Sequence, residues 1–400
     1  MEDLTRRSVL ASVAAALWAW PRTDRGPLPA AGARFLVPSA PRPTDERPFF
    51  ASGFIDHEPP LAYVHCPSIC ELPAGGLACV WYAGSREAVR DVSLYLSESP
   101  LPESPLSDAP PLDAASSAPA WGSPRLVIDR DRAVADLDRF VDKVGNAVLF
   151  PDATGRLWLV YVTIGVGGWS GSSLNACSST DGGKTFSASR RLSLSPFFNV
   201  SELVRAAPVL FDSGEIALPV YHECVGKFPE MLWLRPEGDR LLARKSRLAG
   251  GRSLLQPAVV PIGDTEAVAF LRDHRPARRL VEQRSSDCGR SWSAPKPTRL
   301  ANPDASVAAI RLSTGAVLVA LNHSATNREN LSLALHDPRS DEWRLITTLD
   351  RETGQKFAYP YMIQDSRGLV HLVYTWKMKR IRHVALNEAW IFAQPSEPIE

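Results

Sequence analysis

The chain has almost no net charge. Forty-five Lys and Arg face 44 Asp and Glu, a formal +1 over 400 residues. No global field therefore gathers nucleic acid or an anionic membrane, and any anion must be held by local arginines. Metal-ligand spacing is missing as well. The six cysteines, Cys66, Cys70, Cys79, Cys177, Cys224 and Cys288, form no paired C-x-x-C with histidines, which argues against zinc. No metal or cofactor is expected. The apolar run at 9–20 is too short to cross a bilayer, so no stable membrane span is expected. Thirty-four prolines and 25 glycines leave little room for long helices.

What is present begins with a targeting segment. Thr5-Arg6-Arg7-Ser8-Val9-Leu10 precedes an Ala-rich apolar run, and Ala31-Gly32-Ala33 offers a small-residue cleavage site. The pattern resembles a twin-arginine export signal over 1–33, with Val9 where Phe is usual and the following basic residue absent. It implies a mature chain of 34–400 that works in a periplasm or outside the cell.

Two near-copies of one phrase organise that mature chain. Ser179-Thr180-Asp181-Gly182-Gly183-Lys184-Thr185-Phe186 and Ser285-Ser286-Asp287-Cys288-Gly289-Arg290-Ser291-Trp292 both fit S-x-D-x-G-x-[ST]-[FW]. An Asp can accept the N–H groups of its own turn, Gly supplies a backbone angle other residues resist, and the aromatic anchors the next strand. Such a turn repeated far apart indicates a repeated β unit.

A rhythm of apolar strand, Gly-containing turn, apolar strand, polar loop and third strand runs through the chain. It groups residues 62–97, 145–178, 203–235, 255–284, 306–335 and 359–386 into six units. First strands begin near His65, Asn146, Arg205, Gln256, Ser306 and Tyr359. After the first interval these starts lie roughly 50–60 residues apart, the period of large propeller blades. The long first interval holds a Pro/Ser/Ala-rich surface insertion at 98–124. The expected fold is all-β: one six-bladed β-propeller of four-stranded antiparallel blades, closed by residues 49–54 or 388–392. In the first hairpin, Cys70 and Cys79 face each other if 73–76 is a four-residue turn, either as a disulfide or as two small buried residues.

In such a blade, first-strand starts and the loops after second strands share one face. The boxes and the turns between first and second strands share the other. The first face collects His65, Asn146, Arg205, Gln256, Asp304 and Tyr359, with Arg86, Glu87, Asp91, Trp169, His222, Glu223, Arg272 and Arg328 from the loops. Arginines, aromatics and a few carboxylates converging on one funnel suit an anionic sugar.

The two boxes and this rim resemble the sialidase superfamily of Asp-box propellers over most of 60–390. In those enzymes three arginines grip the substrate carboxylate, a Tyr attacks the anomeric carbon, a Glu takes the Tyr proton and an Asp protonates the leaving oxygen. The resemblance implies Tyr359, in AYPYMIQDSRGLVHLVYTW, as nucleophile. It implies Arg272 in FLRDHR and Arg328 in NRENLSLALHD as clamp arginines, with Arg205 a further candidate. In WYAGSREAVRDVSLYL it implies Arg86 as an accessory arginine and Asp91 as the acid, with Glu87 as substitute. Asn146, His222 and Trp169 are further candidates for substrate contact. Two positions depart from the pattern. His65, in His65-Cys66-Pro67-Ser68, stands where the family has its first arginine, and Gln256 stands where it has the activating Glu. A neutral amide cannot take a proton from a phenol. The expected function is an exported glycoside hydrolase acting on an acidic oligosaccharide or glycoconjugate. A lyase acting on a uronate polymer, or a non-catalytic glycan-binding propeller, are the alternatives.

Overall fold

The computed structural model describes residues 29–37, 47–57, 59–100, 120–194 and 201–399. Residues 1–28 of the 1–33 export signal and 101–119 of the 98–124 insertion lie outside the described residues. Ala33, at the expected cleavage site, is by contrast buried, and Ala30 N donates to the Glu215 carboxylate at 2.7 Å. Six antiparallel sheets follow one another along the chain as six blades. Blade one is Tyr63–Glu71, Leu77–Gly84, Ser93–Ser99 and Arg125–Ile128. Blade two is Lys143–Pro151, Leu157–Ile164, Ser172–Ser179 and Arg190–Arg191. Blade three has an inner strand in two pieces, Glu202–Val204 and Val209–Leu210, then Ile216–His222, Phe228–Glu237 and Arg240–Arg247. Blade four is Leu254–Pro261, Ala267–Asp273, Arg279–Ser285 and Lys296–Ala301. Blade five is Ala308–Arg311, Val317–Leu321, Asn330–Asp337 and Glu342–Arg351, extended by Glu397–Pro398. Blade six is Phe357–Gln364, Val370–Trp376 and Arg380–Leu386, completed by Phe50–Ile55 from the other end of the chain. Neighbouring inner strands touch in sequence, and the last touches the first, which closes the ring.

Closure therefore uses Phe50–Ile55, paired antiparallel from Phe50↔Leu386 to Ile55↔Ile381. The alternative closing segment forms the helix Glu388–Ala393, whose N-terminus is capped by the Asn387 side chain accepting from Trp390 N. Ring closure removes a free sheet edge at blade six.

Each blade is covered on both faces by its neighbours, so second strands read as unbroken apolar runs rather than alternating ones. Every residue of Leu77–Gly84 and of Leu157–Ile164 is buried. The apolar clusters are shared between adjacent blades, as where Tyr82 and Leu94 of blade one meet Leu149 and Tyr161 of blade two. Ile69 pairs with Cys79, and Cys70 with Ala78, so Cys70 and Cys79 are offset by one residue and point to opposite faces. That parity removes the cross-hairpin disulfide; both thiols are free and buried.

The two boxes fold alike. Ser179 Oγ donates to Asp181 Oδ1 at 2.6 Å and accepts from Gly183 N at 2.8 Å, while Thr185 N and Oγ1 donate to the two carboxylate oxygens. Ser285, Asp287, Gly289 and Ser291 repeat every one of these bonds. Gly183 and Gly289 sit at φ 93° and 79°, the backbone angle for which the glycines were expected.

One recurrent irregularity positions the opposite face. In blades one, two, four and six the register between first and second strands slips by one residue, at 65/68, 145/147, 255/258 and 358/361. In three of these bulges the extra residue is left-handed: Cys66 at φ 61°, Gln256 at 51° and Tyr359 at 54°. Each is followed by proline, namely Pro67, Pro257 and Pro360. A bulge leaves one residue outside the ladder, so the missing N–H of proline costs no hydrogen bond there.

Candidate active site

The bulges turn side chains upward at the axis. Tyr359 is partly exposed there. The His65 ring stands edge-on to it at 4.6 Å between centroids, and the Arg328 and Arg205 guanidinium carbons lie 5.6 and 5.4 Å from its ring centre. Blades one, three, five and six therefore meet at this one phenol.

Arg272 and Arg328 come from the ends of blade four and blade five strands and share one anchor, Asp304. The Arg272 Nε donates to Asp304 Oδ1, and Arg328 Nη2 donates to the Asp304 carbonyl at 2.8 Å. His274 Nδ1 lies 2.8 Å from Asp304 Oδ2. Burial opposes ionisation of Asp304, but Arg272 and His274 more than offset it and hold the carboxyl below its usual range. Burial likewise works against the charge on Arg272, and the neighbouring Tyr359 and Asp304 outweigh it. Both guanidinium groups keep donors with no hydrogen-bond partner among the described residues: Nη2 of Arg272, and Nε and Nη1 of Arg328. Fixed planar donors of this kind suit a carboxylate.

Gln256 links the clamp to a second tyrosine. Its Oε1 accepts from Arg272 Nη1 at 3.3 Å, so the amide must turn Nε2 toward Tyr221 Oη, 3.1 Å away. Asn146 Nδ2 donates to the same phenol oxygen at 3.2 Å. Both acceptor positions of Tyr221 are then filled, and its own proton is left for a third partner. Burial pushes the Tyr221 phenol well above its usual range, with the neighbouring Tyr359 adding to the effect, so it stays protonated.

The tautomer of His65 follows from the same reasoning. Thr375 is fully buried; its Oγ1 accepts from Cys66 N at 3.0 Å and lies 2.9 Å from His65 Nδ1. The only acceptor among these partners for the threonine proton is Nδ1, which assigns the ring hydrogen to Nε2. Burial, then the charges of Arg205, Arg328 and Lys356, hold the imidazole well below its usual range and therefore neutral. Where the sequence suggested a lost arginine, the fold has a neutral N–H donor.

Not every expected residue reaches this centre. Asp91 turns back on its own loop, accepting from Ser85 N at 3.0 Å and Ser85 Oγ at 3.2 Å. Glu87 and Arg86 are exposed on that loop. After burial, the Glu87 charge is the main cause lifting the Tyr63 phenol, which places this carboxylate near Tyr63, whose ring centre lies 5.5 Å from that of His65. Trp169, in the short turn Gly168–Gly171, packs against Gly145, where a Cβ would meet its ring at 2.9 Å. His222 lies on the flank of blade three, stacked on Phe228 at 4.5 Å and gathered with Glu202 and Glu230, whose carboxylates bracket the Lys245 ammonium. Arg205 is buried below the site: Nη1 donates to Pro67 O at 3.0 Å, and Nη2 to the carbonyls of Tyr359 and of Pro360, the latter at 2.9 Å.

Thr375, the anchoring role of Asp304 and the linking of Tyr221 to Gln256 and Asn146 are absent from the sequence-derived set, in which Tyr221 stands only as a candidate proton-abstracting group for the lyase alternative. A signal for Tyr221 existed in strand parity. Tyr221 and His222 are consecutive on one strand, so only one of them faces the axis. Among the described residues no carboxylate hydrogen-bonds the Tyr359 hydroxyl. The carboxylate of Glu223, a rim residue, lies 3.5 Å from the Lys227 ammonium. A separate cavity of about 800 Å³ opens at the other end of the axis, between the first-to-second-strand turns, lined by Leu72, Leu210, Ile310 and Met362 among others.

These features define a six-bladed propeller with an arginine- and tyrosine-lined rim. Residues 75–372 match the BNR repeat-like domain family, and the chain belongs to it. No curated protein matches the sequence. Among solved structures, the fold is similar to a Hadza microbial sialidase at TM-score 0.65 and 14% identity, covering 84% of this chain and 68% of that one. It is similar to the NanB sialidase of Streptococcus pneumoniae at TM-score 0.62 and 11% identity, covering 84% and 70%. A protein of unknown function from Dyadobacter fermentans gives TM-score 0.63 and 14% identity, covering 84% and 98%. At such identities the likeness is one of fold.

Proposed function

We propose that the protein is a glycoside hydrolase acting on an acidic sugar, a sialic or uronic acid, at a glycan terminus. The observation that carries this reading is the pair Arg272 and Arg328, joined through Asp304 and each with unbonded donors, with Arg328 beside the partly exposed Tyr359. The two arginines hold the sugar carboxylate, and the His65 Nε2–H and the Tyr221 hydroxyl add neutral donors. Tyr359 Oη attacks the anomeric carbon as the glycosidic C–O bond breaks, its proton passing to water. Glu87, on the exposed loop above, protonates the leaving oxygen and then takes a proton from the water that releases the sugar. Asp91 is the weaker acid candidate because its carboxylate already serves its own loop. Arg205, His222 and Trp169 leave the substrate-binding set; Asn146, expected to contact substrate, and Gln256, expected in the catalytic set, act through Tyr221 rather than by touching sugar. The twin-arginine pattern at the N-terminus supports action in a periplasm or outside the cell, on a single mature domain.

Release of fluorophore from a sialoside or a glucuronide is the test. Tyr359→Phe is expected to lose turnover by about a hundredfold or more. Arg272→Ala and Arg328→Ala are expected to raise KM by about tenfold each, as charge-assisted bonds to a carboxylate are removed. Full turnover by Tyr359→Phe removes the tyrosine from the mechanism.

One observation favours a second reading. With no carboxylate bonded to the Tyr359 hydroxyl among the described residues, elimination on a uronate, with tyrosine as the proton-transfer group, fits the same arginines. His65 is not its base, because Nδ1 is occupied and Nε2 carries hydrogen. Ultraviolet absorbance from an unsaturated product identifies that reaction. Binding without turnover identifies a glycan-binding propeller.

A further inference from the structure

We infer that Arg205 is a positioning residue that locks together the two bulges displaying His65 and Tyr359. It comes from the inner strand of blade three at the point where that strand is interrupted, between Glu202–Val204 and Val209–Leu210. The interruption lets a long side chain cross the axis. Among the described residues its two Nη groups bond only main chain: Pro67 O in the blade-one bulge, and the carbonyls of Tyr359 and Pro360 in the blade-six bulge, while Nε has no partner. Pro67 follows Cys66, and Pro360 follows Tyr359, the left-handed residues of their bulges. One side chain therefore holds the backbone on both sides of the His65–Tyr359 contact.

Two further observations fit this role. Arg205 is 2% exposed and, among the described residues, has no carboxylate partner. A buried charge without a counterion is costly, and here three carbonyls and two aromatic rings supply the compensation. The rings are Tyr359 above and Tyr361, whose centre lies 5.5 Å from the guanidinium carbon. Arg205 also roofs a void of about 20 Å³ on the axis, which shares Ala207, Val259 and Met362 with the large cavity at the other face. The guanidinium thus separates the rim from the channel below and cannot approach a ligand in the rim without releasing both bulges. A left-handed tyrosine is strained, and strain of this kind persists only where surrounding structure enforces it. Arg205 is the enforcing group.

The kinetic arm of the test rests on the acidic-sugar reading; the spectroscopic arm does not. In Arg205→Lys, a single ammonium cannot span both bulges. The ring resonances of isotope-labelled Tyr359 and His65, assigned with Tyr359→Phe and His65→Gln, are expected to shift. Under the same substitution kcat is expected to fall by about a hundredfold with KM unchanged, as for a misplaced reacting group. Arg205→Ala is expected to recover part of its kcat in millimolar guanidinium and none in ammonium. Unmoved resonances in Arg205→Lys overturn the inference, as does a rise in KM without a fall in kcat, which marks a substrate ligand. Loss of the whole fold in Arg205→Lys, seen by circular dichroism, also overturns it in favour of a general structural role. If the wild type turns over no acidic glycoside but the resonances shift, the functional reading fails and the positioning role stands.

Discussion

At the residue scale, the site depends on the direction of hydrogen bonds rather than on residue types alone. Gln256 reads from sequence as a missing base. In the fold its amide has a definite task, because Oε1 is held by Arg272 and Nε2 is thereby aimed at Tyr221. A glutamate there could not donate to Tyr221, and its charge would sit beside the carboxylate clamp. Gln256→Glu is therefore expected to weaken binding of an acidic sugar by about tenfold, or about 1.4 kcal/mol, by titration calorimetry. An unchanged affinity would separate Gln256 from the clamp. His65 carries the same lesson. Its residue type suggests a possible base, whereas Thr375 leaves it a neutral donor.

At the scale of elements, the bulges and the closing strand matter most. The bulge-and-proline pattern repeats at Cys66-Pro67, Gln256-Pro257 and Tyr359-Pro360, each with a left-handed residue before the proline. Those dipeptides were visible in the sequence, but their left-handed backbone was not, since proline alone only biases the residue before it. The closing strand Phe50–Ile55 supplies the outer edge of blade six. Deleting residues 47–57 leaves Arg380–Leu386 as an open edge. The truncated chain is expected to lose its cooperative calorimetric transition and to associate, measured by light scattering. A monomeric, cooperatively melting truncation would show that closure is dispensable.

At the scale of the whole molecule, the packing of blade against blade buries histidines in the neutral state. Burial is the first cause holding His57, His65, His222, His323, His336 and His383 below their usual range. An unfolded chain takes up protons on these rings below about pH 6.5, and the folded one does not. Unfolding therefore binds protons in that window, and stability is present above it and lost as pH falls through it. One group opposes this: burial and Glu230 raise Glu202 to about 7, so its protonation on acidification favours the folded state. With six rings against one carboxyl, the melting temperature is expected to fall from pH 7 to pH 5. A rise over that interval would mean that the histidines are not the dominant linked groups. The same whole-molecule view places the large apolar cavity at the end of the axis away from Tyr359, so cavity size alone would point to the wrong face.

The sequence by itself determined the blade count, the two boxes and the side of the ring on which polar residues gather. These are local facts: a turn phrase, strand periodicity and the alternation of faces are written within a few residues of one another. It also named Arg272, Arg328, Tyr359 and the substitutions at His65 and Gln256, because each stands in a recognisable short context. Only the tertiary structure decided which of those side chains meet. Arg205 and Arg272 look alike in a list of rim arginines. One bonds main-chain carbonyls from blades one and six, and the other keeps a donor without a partner among the described residues. Tyr221 and His222 are neighbours in the chain, yet strand parity sends one to the axis and the other to the flank of blade three. The reason is physical. A hydrogen bond between residues 138 or 155 positions apart, as Arg205 makes, leaves no trace in local pattern, and exists only once the ring has closed.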